Sequence, residues 1–229
     1  MARGKFIVIE GIDGAGKGTQ TDLLARAFEQ RGIPFVKFGF PRYESSFGRL
    51  IARFLNGEFG PLPAVDAHFS ALLYAGDRFE AKPDLEAALN SGRTVVTDRY
   101  IASNLAHQAA RVPAERRAEF TSWLRQLEYG TYGLPVEDLV IYLRVPAQEG
   151  HRLVGLKSAR SYTAKPRDLQ ESDMLHLKAA AGVYDELAHA PNWVTIECFD
   201  SRSEKLRSPE EIHRDLLEAV GARVLSRVG

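Results

Sequence analysis

A short apolar run, Lys5–Glu10 (KFIVIE), leads directly into Gly11-Ile12-Asp13-Gly14-Ala15-Gly16-Lys17-Gly18-Thr19, and a helical pattern then continues to Arg31. No other stretch narrows the fold so far. A buried strand that ends in glycines and opens a helix headed by lysine is the setting of a phosphate-binding loop. Gly14 and Gly16 let the backbone bend until successive N–H groups face one phosphate. Lys17 adds a point charge near the β- and γ-phosphates, and the helix N-terminus adds its dipole. The usual pattern puts Ser or Thr directly after the lysine to reach Mg²⁺. Here Gly18 stands there and Thr19 comes one residue later. Gly18 has no side chain to offer a metal, so water or Thr19 would fill that place.

Four more apolar runs alternate with helical patterns: Pro34–Phe38, Thr94–Asp98, Leu139–Val145 and Trp193–Glu197. Strands separated by helices imply right-handed crossovers and a parallel sheet covered on both faces. The fold class expected is therefore α/β, a three-layer α/β/α arrangement around a five-stranded parallel sheet. Gly32 is a plausible stop for the first helix. In Ser46–Asn56, Phe47, Leu50, Ile51, Phe54 and Leu55 fall on one apolar face. Ser208, Pro209 and Glu211 read as a cap, a first-turn proline and the far half of a capping box. Two stretches fit the alternation badly. Phe40–Arg78 has helix patterns but no clear strand, and Lys157–Arg167 is basic and loop-like. Both read as insertions on one sheet edge, where such folds place ligands.

Composition then sets limits on function. The 229 residues carry 30 Lys+Arg and 30 Asp+Glu, a formal net charge of +0. That balance argues against a general nucleic-acid binder, though not against a local basic cluster. The single cysteine, Cys198, permits no internal disulfide and fits a reducing compartment. No apolar run approaches the roughly 18 residues that cross a bilayer, and the opening segment reaches Glu10 too soon for a signal peptide. The expectation is a cytoplasmic protein without membrane or nucleic-acid partners, built as a single domain over 1–229.

Thr94–Asp98 ends in Asp98-Arg99-Tyr100. A carboxylate at the end of a buried strand beside a phosphate loop suits a hold on Mg²⁺ through water. Arg99 can make forked hydrogen bonds to a phosphate. Ser103 and Asn104 follow on the next helical turn. Taken alone, Asp98-Arg99 reads better as a structural ion pair; the phosphate loop on a neighbouring strand shifts the reading to function.

At these residues the chain resembles the thymidylate kinases. The resemblance rests on Ile9-Glu10-Gly11-Ile12-Asp13-Gly14-Ala15-Gly16-Lys17, Phe40-Pro41-Arg42-Tyr43, Tyr74-Ala75-Gly76-Asp77-Arg78, Asp98-Arg99-Tyr100-Ile101-Ala102-Ser103-Asn104 and Gly133-Leu134-Pro135. It implies that Arg42 and Arg99 hold the acceptor monophosphate. Tyr43 would pack near the deoxyribose, Tyr74 would stack on thymine, Arg78 would donate to a thymine carbonyl, and Asn104 would read the base edge. Asp13, near both phosphates, would help hold the metal or the acceptor. His107 stands where the family often has Tyr. The resemblance also implies ATP as co-substrate, dTMP as acceptor, Mg²⁺, and a homodimer whose candidate surface involves the helices flanking Ala102–Arg111 and Phe47–Leu55. The insertion at about 40–80 would bind the acceptor.

The remaining cations are Lys157, Arg160, Lys165 and Arg167. A solvated charge cluster is the ordinary reading of such a run. Phosphoryl transfer, however, needs cations around the γ-phosphate in a water-poor site. The phosphate loop carries Ala15 and no arginine, so the chain looks like relatives that place the cation on a lid, here at about 157–167, with Arg160 the first choice. Asp168 and Glu171 follow, either ordering metal or capping the next helix. The expected reaction is ATP + dTMP → ADP + dTDP. Rival readings are a kinase for another monophosphate, which the adenylate-kinase-like GKGT sequence suggests, and a silent nucleotide-binding module.

Overall fold

The structure is a computed structural model that describes residues 2–155 and 174–224. The apolar runs form β1 (Phe6–Glu10), β2 (Phe35–Gly39), β3 (Thr94–Asp98), β4 (Leu139–Arg144) and β5 (Trp193–Glu197). They make one parallel sheet in the order β2-β3-β1-β4-β5. Successive residues of β1 point to opposite faces, as strand geometry requires. Phe6 and Val8 join a core with Val95, Val140 and Tyr142, and Ile7 and Ile9 join a second with Val96, Ile141 and Leu143. Both faces are therefore apolar, and helices must cover both.

On the first face lie α3 (Ala67–Asn90), α4 (Ile101–Ala109), α5 (Arg117–Arg125) and α7 (Met174–Leu187). On the second lie α1 (Lys17–Gln30) and α8 (Pro209–Arg223). Ser208 and Glu211 form the expected reciprocal capping box at the head of α8. Gly32, at φ 63°, follows α1 as the expected stop. A small antiparallel pair, β6 (Phe199–Asp200) with β7 (Lys205–Leu206), was not legible from the apolar pattern.

The segment expected as an insertion leaves the edge strand β2 and contains no strand. It holds α2 (Ser46–Leu55) and the first half of α3. Ile51, Phe54 and Leu55 of α2 bury against Val65 and Leu73 in a third cluster, with Tyr43 and Tyr74 packed partly against it. A Cβ at Gly76 would meet the Phe47 ring at 2.4 Å, so glycine there sets how closely α2 and α3 pack. Every residue of α4 is buried. Three exposed apolar side chains, Phe69, Leu72 and Phe79, lie on α3, which packs against both α2 and α4, and two more, Val136 and Leu175, lie before β4 and on α7. Among the described residues, no helix is long and apolar enough to cross a membrane.

Candidate active site

The site lies where β1 and β3, neighbours in the sheet, release their chains at the same edge. Gly11, Gly14 and Gly16 all have positive φ. At Gly14 the need for glycine is double: φ is 86°, and a Cβ would sit 2.2 Å from the carbonyl oxygen of Gly150 in α6 (Ala147–Val154). Gly16 is the left-handed N-cap of α1. Lys17, buried, donates to the carbonyls of Gly11 and Ile12 at 2.9 and 2.8 Å, holding its ammonium over the loop. Thr19 lies exposed on the first turn of α1.

Gly18 gains a structural reason. A Cβ there would approach Asp98 Oδ2 to 3.3 Å, so its absence makes room for the Asp98 carboxylate beside α1. Asp98 Oδ1 is buried and has no hydrogen-bond partner. A buried carboxylate oxygen without a donor suits a cation.

Arg99 is the most constrained residue of the site. Its φ of 68° lies in the left-handed region, which costs a bulky residue about 1–3 kcal/mol. Its backbone N–H donates to Ile9 at 3.0 Å. Its guanidinium reaches Asp13 Oδ1 at 2.5 Å and Ser103 Oγ at 3.0 Å. Asp13, expected near the metal, is thus bonded to the arginine. Burial alone would lower the Arg99 pKa, but the acidic groups around it, Asp13 foremost with Tyr184, Asp98 and Glu10, together outweigh it and the net direction is up.

Behind Arg99 lies His107, whose Nε2 is 3.4 Å from Arg99 Nη1 and whose Nδ1 is 3.3 Å from His176 Nε2. Arginine only donates, so His107 Nε2 accepts and its proton sits on Nδ1, toward His176. Burial pushes the His107 pKa well below its ordinary value, which keeps the ring neutral beside the cation.

Glu10 fixes α4. Fully buried at the end of β1, it accepts from the N–H groups of Tyr100 and Ser103 at 2.8 and 3.1 Å. It also accepts from the hydroxyls of Ser103 and Tyr184 at 2.6 and 2.9 Å. Tyr100, the residue at the N-cap, offers no side-chain cap, and the Glu10 carboxylate takes that part, favoured by the helix dipole.

Arg42 is held by Asp77 of α3. Its backbone N–H and Nε donate to the carboxylate at 2.8 and 3.2 Å, and its Nη2 to the Asp77 carbonyl at 2.9 Å. Arg78, one residue on, points into the protein and forms a forked pair with Glu128 at 2.6 and 2.7 Å. Glu80, an acid nearer to Arg78 in the chain, lies instead 3.9 Å from Arg42. Asn104 Nδ2 donates to the same Glu128 and to the Ala71 carbonyl. Tyr43 and Tyr74 are half-buried at the α2–α3 cluster. Lys157, Arg160, Lys165, Arg167, Asp168 and Glu171 lie outside the described residues.

The structure therefore brings together Asp13, Lys17, Asp98, Arg99, Ser103 and His107 at one edge, with Arg42 and the Arg78–Asn104 pair each oriented by an acid. Three supporting acids were not singled out by sequence: Glu10, Asp77 and Glu128. Glu10 carried a visible signal, a charge closing an otherwise apolar run.

Residues 9–208 match the family model described as Thymidylate kinase. The chain belongs to the thymidylate kinase family. A thymidylate kinase from Mycobacterium tuberculosis is 35% identical over 190 residues, covering 82% of this chain and 87% of that protein. A probable thymidylate kinase from Thermococcus gammatolerans is 32% identical over 232 residues, covering 98% and 100%. Among solved structures, thymidylate kinase from Candida albicans superposes with a TM-score of 0.76 at 20% identity, covering 97% of this chain and 93% of that one, a likeness of fold.

Proposed function

We propose that this thymidylate kinase transfers the γ-phosphoryl group of ATP to dTMP, with Arg42 and Arg99 holding the acceptor phosphate and the loop from Gly11 to Thr19 holding ATP. The observation that carries the assignment is Arg99. It is anchored to Asp13 of the phosphate loop at 2.5 Å and stands in the turn before the helix that presents Ser103 and Asn104, bonded to Ser103, so one side chain links the donor and acceptor halves. An oxygen of the dTMP phosphate attacks the γ-phosphorus as the bond to the β,γ-bridging oxygen breaks, releasing ADP. That acceptor oxygen is already ionised, so no general base is required. Lys17 neutralises charge on the β- and γ-oxygens, and the paired arginines offset repulsion between the two phosphates.

Asp98, with its unpartnered Oδ1, fits a divalent cation held directly or through water. Among the described residues no group of three metal-binding side chains occurs, so phosphate oxygens and water would complete its shell. When bound, Mg²⁺ supplies charge neutralisation on the transferring phosphoryl group. Arg160, with Lys165 and Arg167, is the candidate source of a further cation at the γ-phosphate. Tyr74 stacks on the base, and Tyr43 and His107 border the deoxyribose. Phe69, Leu72 and Phe79 supply an apolar helix face suited to a homodimer. Cys198, free and buried, accords with a cytoplasmic setting.

ADP release measured with dTMP, dUMP, AMP, CMP and GMP as acceptors tests the reading. The expected order places dTMP first; turnover of AMP with none of dTMP would overturn it.

A further inference from the structure

Glu128 is fully buried in the π-helical turn Gln126–Thr131 that ends α5. Such turns add a residue to a helix and re-aim its side chains, often at functional sites. Glu128 receives three donors: Arg78 Nε and Nη2 at 2.6 and 2.7 Å, and Asn104 Nδ2 at 2.8 Å. Asn104 Nδ2 donates as well to the Ala71 carbonyl at 3.0 Å. Both partners of that amide nitrogen, a carboxylate and a carbonyl, can only accept. The amide therefore has a single orientation, because the flipped form would set oxygen against oxygen twice. The orientation leaves Asn104 Oδ1 buried with no hydrogen-bond partner, on a residue only 2% exposed.

We propose that Glu128 is a positioning residue that sets which pyrimidine edge this kinase accepts, by locking the Asn104 amide and the Arg78 guanidinium together. The proposal rests on the reading that Arg78 and Asn104 face the base. Thymine presents an N3–H donor next to an O4 acceptor; cytosine presents an N3 acceptor next to an N4 amine donor. Oδ1 of Asn104 and the guanidinium of Arg78 together offer an acceptor beside a donor, which matches the imide. Cytosine would meet acceptor against acceptor and donor against donor. An unlocked amide would adapt by flipping; a carboxylate at 128, acting with the Ala71 carbonyl, forbids the flip. Uracil has the same imide edge, so Glu128 separates dTMP from dCMP and leaves dUMP to other contacts.

Glu128→Gln tests this. The new amide keeps one acceptor for Arg78 and supplies an N–H that a flipped Asn104 oxygen can accept, which leaves the Ala71 carbonyl alone opposing the flip. The measurement is kcat/KM for dTMP and for dCMP in the full-length enzyme, its Glu128→Gln variant and an Asn104→Ala variant. The expected result is a fall of about tenfold or more in the dTMP-to-dCMP ratio for Glu128→Gln, carried by KM more than by kcat. A destabilised fold would lower both substrates together and leave the ratio alone. If Glu128→Gln does not fold, Glu128→Asp keeps charge beside Arg78 while withdrawing the carboxylate from Asn104, and the same fall in ratio is expected. An unchanged ratio at Glu128, with Asn104→Ala lowering it, overturns the proposal and leaves the base-edge placement standing. An unchanged ratio in both variants overturns the placement itself, and the proposal with it.

Discussion

Removing the Glu10 carboxylate tests whether a buried acid, and not helix propensity, seats α4 over the site. In Glu10→Ala the N–H groups of Tyr100 and Ser103 lose their acceptor while remaining buried. Each orphaned donor costs about 1–3 kcal/mol. The hydroxyls of Ser103 and Tyr184, 3.0 Å apart, can pair with each other and add little. The lost side-chain volume adds a smaller packing cost. The expected destabilisation is about 3–5 kcal/mol. Glu10→Gln behaves differently: its carbonyl still accepts from the two N–H groups, and its amide nitrogen faces two hydroxyls that can accept. Only charge assistance is lost, about 1 kcal/mol. Urea titration of both variants measures the difference. In a thermal melt, about 4 kcal/mol corresponds to roughly 8–16 °C for a chain of this size. Ser103, Asn104 and His107 all ride on α4, so dTMP affinity should fall further than ATP affinity in the alanine variant. Equal destabilisation by alanine and glutamine would refute the reasoning, since then the charge, and not the acceptor geometry, would hold the helix.

Arg99→Lys keeps the charge but loses the fork to Asp13 and Ser103; kcat/KM for dTMP should drop by about 100-fold, roughly 2.7 kcal/mol of transition-state stabilisation, with a much smaller change in ATP binding. Gly14→Ala would force a Cβ to 2.2 Å from the Gly150 carbonyl at a φ of 86°, so isothermal titration should find ATP binding lost and calorimetry a Tm several degrees lower. Burial pushes the Glu137 carboxyl up to about 7, although Tyr129 donates to both its oxygens at 3.0 and 2.8 Å. Its folded pKa is above the unfolded value, so its contribution is greatest below about 4.5 and is lost as pH rises toward 7. Urea stability measured between pH 5 and 7.5 should therefore decline less steeply with pH in Glu137→Gln than in the wild type, and parallel slopes would count against the assignment.

Much of this architecture is visible in residue order. Thr94–Asp98 and Trp193–Glu197 match β3 and β5 end for end; β3, buried on both faces, reads as a continuous apolar run closed by a polar residue, and the edge strand β5 is marked by Trp193, Val194 and Ile196. Pro34–Phe38 is displaced by one residue from β2, whose position is set by pairing with β3 and not by its own pattern. The loop glycines, Lys17 and Asp98-Arg99 were legible because backbone chemistry demands those residues at that spacing. Gly18 looked like a defect in a metal site; it is explained only by the approach of Asp98 from another strand. Glu128 was illegible for a similar reason. In Gln126-Leu127-Glu128-Tyr129 it resembles an ordinary surface acid, and only the π-helical turn carries it inward to Arg78, 50 residues earlier. His176 likewise gains meaning from His107 across the α4–α7 contact.

The bond between Asp13 and Arg99 joins the loop proposed for the donor to the turn, just before α4, proposed for the acceptor. Two nucleotides that share such a joint cannot bind as strangers. On the proposed assignment, an effect of ATP on Asp13 would pass to the arginine that holds dTMP, and thermodynamic reciprocity requires dTMP to return the same factor to ATP. The order in which the substrates arrive then alters the path to the ternary complex, but not the free energy of reaching it.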